Sequence, residues 1–300
     1  MPSVWIHKEE FDDIGDAIRE KLGTETQYTI EQMAPAIDSI ISHSDEGVND
    51  YFNKSLTSYT NNRISAVRSY AFYKHTSLTS INLPNVINIG ENAFSQCSLT
   101  SINLPNVNNI GYYAFSYNDF SSISLPNVKT IGGGVFYGCG NLTSISLPEL
   151  TTIDMSNGIG SFCDTQLTSI NLPKLTTITN PSLNPSGRGM FANCSSLTTL
   201  NFPNLTHIGV QGLSDADYLT SITLPKAVFI DDFAFAKCSS LTSLTLSGST
   251  VCTLNGTNAF YDTAINSRSG YIYVPSNLVN SYKAATNWST YASRIKAIGT

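Results

Sequence analysis

Charge is scarce in this chain: 13% of its 300 residues are charged, and 16 Lys and Arg face 22 Asp and Glu, a formal net charge of −6. A general nucleic-acid binder needs a basic face, so nucleic acid is not an expected partner. Long apolar runs are missing too. None approaches the roughly 20 residues that cross a bilayer, so no membrane insertion is expected. The opening Met1-Pro2-Ser3-Val4-Trp5-Ile6-His7-Lys8 has no apolar stretch of the export-signal kind, and the closing Ile295-Lys296-Ala297-Ile298 has no hydrophobic anchor, so ordinary secretion is not expected either. The six cysteines include no Cys-x-x-Cys pair, which removes the usual zinc spacing. With 41% hydrophobic residues, the chain is nevertheless too apolar for a disordered tail.

What charge there is falls unevenly and marks boundaries. Residues 1–46 carry 3 basic and 11 acidic side chains, residues 77–266 carry 5 and 10, and residues 267–300 carry 4 and none. Ser, Thr and Asn supply the polarity of the long middle section. Length alone is compatible with two domains or one elongated one.

A repeat fills that middle section. Leu78-Thr79-Ser80-Ile81-Asn82-Leu83-Pro84 returns from Leu99 to Pro105, Phe120 to Pro126, Leu142 to Pro148, Leu167 to Pro173, Leu197 to Pro203 and Leu219 to Pro225. An eighth copy at Leu241–Leu246 has Ser247 in place of Pro, and a worn copy begins near Leu56. The prolines step by 21, 21, 22, 25, 30 and 22 residues, the period of a solenoid turn. Alternation in Ser80-Ile81-Asn82-Leu83 points Ile81 and Leu83 inward and Ser80 and Asn82 outward, and Pro84 ends the strand. Val86 and Ile89 form the next inward pair, Gly90 provides a turn, and an aromatic follows at Phe94. That aromatic recurs at Phe72, Phe115, Phe136, Phe162, Phe191, Phe235 and Phe260. One turn cannot bury such faces alone, but stacked turns share a continuous core. The expected fold is mainly β with short helices: a leucine-rich-repeat solenoid of about eight turns over 47–266, a small N-terminal helical segment over 1–46 and a C-terminal cap over 267–300.

The pattern Leu-Thr-Ser-Ile-x-Leu-Pro, then Val-x-x-Ile-Gly, then Ala-Phe-x-x-Cys resembles the BspA-type leucine-rich repeats of bacterial surface and secreted proteins, which are associated with adhesion and protein binding. The ends carry shorter resemblances. Ile14-Gly15-Asp16-Ala17-Ile18-Arg19-Glu20-Lys21-Leu22-Gly23 and Tyr28–Ile37 resemble the N-terminal segment of tail and baseplate proteins from phages of Gram-positive bacteria. Tyr271-Ile272-Tyr273-Val274-Pro275 through Trp288–Ala292 resembles the ending of related phage repeat proteins. Together these resemblances imply a non-enzymatic phage tail or baseplate protein, located in the virion, that binds a host cell-surface glycan or protein. The alternative is a bacterial cell-surface adhesin. An enzyme with an unrecognised site is a third class.

Phe11, Ile14, Ile18 and Leu22 make one stripe of an amphipathic helix stopped by Gly23, and Thr29 with Gln32 opens a second. Two readings stay open for residues 1–46: a cap on the first turn, or an assembly segment that packs on other virion proteins or sister chains, making a homo-oligomer the expected state. The C-terminal strand Tyr271–Val274 and a helix opened by Ser276 read as a cap.

No catalytic, cofactor or metal residues are expected. Cys97, Cys139, Cys163, Cys194 and Cys238 share one place in the repeat, with Cys139, Cys163 and Cys194 on successive rungs, and small packed thiols are the expected reading. His207 reads as a surface variant. Asp231-Asp232 and Asp215/Asp217 lie in turns, where Asp caps backbone groups. Ile131-Gly132-Gly133-Gly134 lacks the Lys of a phosphate loop. Two surfaces remain as binding candidates. One is the outward ladder of the strands: Ser80, Asn82, Ser101, Asn103, Ser144, Ser146, Asn171 and Asn201. The other is the loop of the 30-residue step, Thr179–Gly189, with Asn184, Ser186 and Arg188, the last being the sole Arg between Arg68 and Arg268.

Overall fold

The computed structural model describes residues 56–180, 188–267 and 269–300. The helices expected over 1–46 and the loop residues Asn184 and Ser186 lie outside the described residues.

Each turn contains two short parallel strands. The first is the alternating segment of the repeat, as in Ser80–Asn82, Ser101–Asn103 and Ser144–Ser146, and these make the front. The second follows the Pro corner, as in Asn88–Ile89, Asn109–Ile110 and Thr152–Asp154, and these make the back. Like stacks on like: Ser80 lies beside Ser101, Ile81 beside Ile102 and Asn82 beside Asn103. The long steps do not break this register, since Thr152–Asp154 pairs with Thr177–Thr179, which pairs with His207–Ile208.

Nine turns carry both strands, one more than expected. The additional turn is the worn copy, Ser58–Thr60, whose Tyr59 packs in register with Ile81. It keeps the in-and-out alternation although its Pro is lost, and alternation is what the core requires. The back strands form one nine-stranded sheet, whereas the front strands fall into sheets of three, two, two and four. Of the inward residues that flank the breaks, Ile102 and Ile145 are half-buried, while Ile123, Ile170 and Ile222 on the strands that follow are 2–5% exposed.

Between the faces lies the core. Leu78, Leu83, Val86, Ala93 and Phe94 are fully buried, and so are most of their counterparts along the solenoid, with Leu56, Ala227 and Val251 half-buried. The recurring phenylalanines stack face to face, with centroids 5.1 Å apart for Phe72 and Phe94, 5.5 Å for Phe94 and Phe115 and 6.2 Å for Phe115 and Phe136. Leu213 stands in this column between Phe191 and Phe235.

Polar groups are columnar too. Thr79, Thr143, Thr176 and Thr206 each donate a hydroxyl to a carbonyl of the preceding turn. Asn85, Asn106, Asn127 and Asn204 do so with their amides, at 2.6–2.8 Å. Cys97, Cys139 and Cys194 donate their thiols to the carbonyl of the previous turn's phenylalanine, and Cys238 to that of Leu213.

Cys163 corrects one expectation. It follows its phenylalanine directly, whereas Cys97, Cys139, Cys194 and Cys238 stand three residues after theirs. Thr165 holds the shared place in that turn and donates to Phe162 O at 2.8 Å, while the Cys163 thiol points to Gly189 O. Cys139 and Cys194 are therefore not linked by a third cysteine in one column. All six thiols are free and buried.

Past the ninth turn, Tyr271–Val274 and then Ile295–Ala297 extend the front sheet. Between them run a 3-10 turn at Ser276–Leu278, the helix α1 at Val279–Ala284 and a second 3-10 segment at Trp288–Arg294. Trp288 is fully buried and donates its indole N–H to Cys252 O at 2.6 Å. Tyr291 meets Phe260 edge-on at 5.1 Å, closing the end of the phenylalanine column. This segment covers a core face that an unfinished solenoid would leave in water.

Candidate functional site

The outward ladder lies where the alternation puts it. Ser101, Asn103, Ser144, Ser146, Asn171 and Asn201 are exposed, and Ser80 and Asn82 are half-buried. Its amides bond largely to each other: Asn103 Nδ2 donates to Asn82 Oδ1 at 2.7 Å and Asn201 Nδ2 to Asn171 Oδ1 at 2.9 Å. Such ladders tie neighbouring turns together and leave fewer amide groups for a ligand.

The corner after each phenylalanine is more varied, and its backbone explains why. In all nine turns the residue two places after the phenylalanine column is left-handed: Lys74, Gln96, Tyr117, Gly138, Asp164, Asn193, Asp215, Lys237 and Asp262, with φ between 55° and 71°. An L-residue there is disfavoured by roughly 1–2 kcal/mol, yet glycine fills the corner once. The side chains at this corner point away from the core and form a row along one edge of the solenoid.

In the N-terminal half that edge is rich in tyrosine. Tyr113 and Tyr117 each lie over a glycine of the next turn. A Cβ at Gly134 would stand 2.5 Å from the Tyr113 ring, and one at Gly138 would stand 2.6 Å from the Tyr117 ring. Tyr137 meets Tyr117 edge-on at 5.1 Å and Tyr113 at 6.5 Å. Tyr112 crosses above Gly132 and donates its hydroxyl to Asp154 at 2.7 Å, two turns away. The glycine run of the fourth turn is thus a trough filled by tyrosine rings. A hydrogen bond with Tyr117, together with burial, pushes the Tyr137 phenol up to about 12.

Arg188 joins this patch. Its guanidinium lies 5.6 Å from the Tyr137 ring centre and pairs with Asp164 at 2.7 Å, and its side chain is 44% exposed. The structure therefore brings Arg188 to the tyrosine edge and keeps it away from the serine and asparagine ladder. Sequence reasoning had passed over these tyrosines. The signal was present as Tyr113, Tyr117 and Tyr137 around the Ala-Phe pair, but the corner geometry that turns them outward leaves no mark in periodicity.

The other titratable groups serve structure. Asp232 accepts the Asn258 N–H at 2.8 Å and Asp215 accepts the Gly189 N–H at 3.1 Å, the capping roles expected of turn acids. His207 is half-buried against Phe229 and bonds Asp231 at 3.1 Å. Among the described residues no three His, Cys, Asp or Glu side chains converge as metal ligands.

Comparison with known proteins settles the family. The BspA-type leucine-rich repeat region, in 6 copies, matches residues 65–186 and 176–287. The chain belongs to the BspA-type leucine-rich repeat family. Solved structures of similar fold include a leucine-rich cell surface protein from Faecalibacterium prausnitzii, with 19% identity over 82% of this chain and 80% of that one, at a TM-score of 0.40. A leucine-rich repeat protein from Bacteroides ovatus matches with 20% identity over 78% and 88%, at 0.29. The pneumococcal vaccine antigen PcpA matches with 14% identity over 80% and 87%, at 0.38. No curated protein matches the chain. Within this BspA-type solenoid the front ladder repeats the same groups from turn to turn, whereas the residues of the tyrosine edge change.

Proposed function

We propose that this BspA-type protein is a non-enzymatic binder of a bacterial-surface component, a glycan or a protein, and that it engages its target through the tyrosine edge. The observation that carries this reading is the cluster of Tyr113, Tyr117, Tyr137 and Arg188, in which Tyr117 and Arg188 are exposed, Tyr113 and Tyr117 are packed over glycines, and Arg188 lies against the Tyr137 ring. Rigid aromatic surface beside an arginine is what binding sites concentrate, because such side chains lose little freedom on contact. A cell-surface adhesin is the placement that family membership favours. A second placement, in a phage tail with residues 1–46 as the assembly segment between subunits or virion proteins, rests on the resemblance of residues 14–37 and 271–292 to tail proteins.

Binding of the labelled protein to Gram-positive cells and to wall extract tests the reading. Arg188→Ala should weaken binding more than Ser144→Ala or Asn171→Ala, because loss of one ladder group removes about 1 kcal/mol of a typical hydrogen bond. Equal, unimpaired binding by all three variants would leave the edge as scaffold. Immunogold labelling of cell walls against purified virions separates the two placements.

A further inference from the structure

Beside the tyrosine patch, one turn toward the N-terminus, the edge dips. An open cleft of about 360 Å³ is lined by Gln96, Cys97 and Tyr117. That volume lies within the roughly 300–1,000 Å³ of small-molecule sites. The dip has a sequence cause. The second turn carries Ser95 and Gln96 where the first has Tyr73 and Lys74, and the third has Tyr117 at the same corner as Gln96. Ser95 and Ser116, both small and buried, hold one column between Tyr73 and Tyr137, and their hydroxyls pair at 2.7 Å.

The chemistry of the walls is specific. Tyr117 is 49% exposed, and its ring is held in place by Gly138 below and Tyr137 at its edge. The Gln96 amide donates one N–H to the Tyr73 hydroxyl at 3.3 Å. A primary amide carries a second N–H and acceptor lone pairs besides. The third wall, Cys97, is 5% exposed and its thiol is spent on Phe72 O at 3.0 Å, so it offers a small uncharged surface. None of the three lining residues is charged.

We infer that this cleft is a subsite for one neutral sugar ring of a glycan, stacked on Tyr117 and hydrogen-bonded by Gln96. An aromatic face matches the apolar C–H face of a pyranose, while a side-chain amide can both donate to and accept from vicinal hydroxyls. The absence of charge among the lining residues disfavours a phosphate or carboxylate as the group seated in the cleft. The inference rests on the binding reading above and names the class of ligand for that edge.

The test is calorimetric titration of the full chain with three soluble tetrasaccharides, of N-acetylglucosamine, glucose and mannose, alongside the whole-cell assay. At least one should bind in the millimolar range or tighter. Tyr117→Ala should weaken it about tenfold or more, Gln96→Ala should weaken it less, and Tyr117→Phe should restore it. Tyr261→Ala, an exposed tyrosine at the far end of the edge, should change nothing. Loss of binding in Tyr261→Ala equal to that in Tyr117→Ala, or unchanged affinity in Tyr117→Ala, overturns the subsite. If the protein binds cells but none of the tetrasaccharides, the sugar subsite fails and the binding reading stands. If it binds neither, both fail.

Discussion

Asn118 takes the place that Cys97, Cys139, Cys194 and Cys238 hold in their turns, and truncating it isolates the worth of that column. It is 2% exposed. Its Nδ2 donates to Phe94 O at 2.8 Å and to Phe115 O at 3.0 Å, and its Oδ1 accepts the Leu99 N–H at 2.9 Å. Phe115 O also receives the Cys139 thiol at 3.2 Å, so Asn118→Ala strips two backbone groups, Phe94 O and Leu99 N–H. A buried polar group left unsatisfied costs about 1–3 kcal/mol, so the variant should lose about 2–6 kcal/mol. Asn118→Cys gives back a donor for Phe94 O, as in the sister turns, and abandons the Leu99 N–H alone. Its loss should be about half as large. Urea unfolding followed by circular dichroism reads the total, and hydrogen exchange at the Leu99 amide reads the local part, which matters because solenoid turns unfold semi-independently. An Asn118→Ala protein within about 0.5 kcal/mol of the parent, or an Asn118→Cys protein no better than it, would refute the column argument.

Burial pushes the thiols of Cys97, Cys139, Cys238 and Cys252 up to about 12, so they stay neutral through pH 9. Labelling of the native protein by a maleimide at pH 8 should be slow and become rapid in denaturant, and intact mass should show no disulfide. Trp288→Ala should cost about 3–5 kcal/mol and leave Cys252 O without its indole donor. Limited proteolysis should then start at the C-terminal turns and spare residues 80–150.

Much of the solenoid was legible in the sequence because identical residues must stack on identical residues. The strands, the phenylalanine column and the terminal strand at Tyr271–Val274 all follow from alternation and period. Cys163 escapes the pattern because the distance to the next leading leucine shifts with insertions, whereas the preceding phenylalanine is the fixed reference of the turn. Gly90 was read as a turn residue. Its φ is ordinary, and glycine is needed because a Cβ there would collide with the backbone of Ser69 in the turn beside it. The tyrosine edge was missed for a different reason. It depends on a left-handed corner where Lys, Gln and Tyr alternate with Asp, Asn and Gly, so the signature that the last three carry is not repeated from turn to turn.

The broken front and unbroken back have a mechanical consequence. The ladder bonds of a solenoid run along its axis, so tension between its ends loads the turns in series. At three places, after Ser101–Asn103, Ser144–Ser146 and Thr199–Asn201, the front carries no strand pairing to share that load with the back. Under pull these joints should gape first, like hinges whose pins lie in the back sheet. The chain would then lengthen in discrete steps while the turns between the joints stay folded.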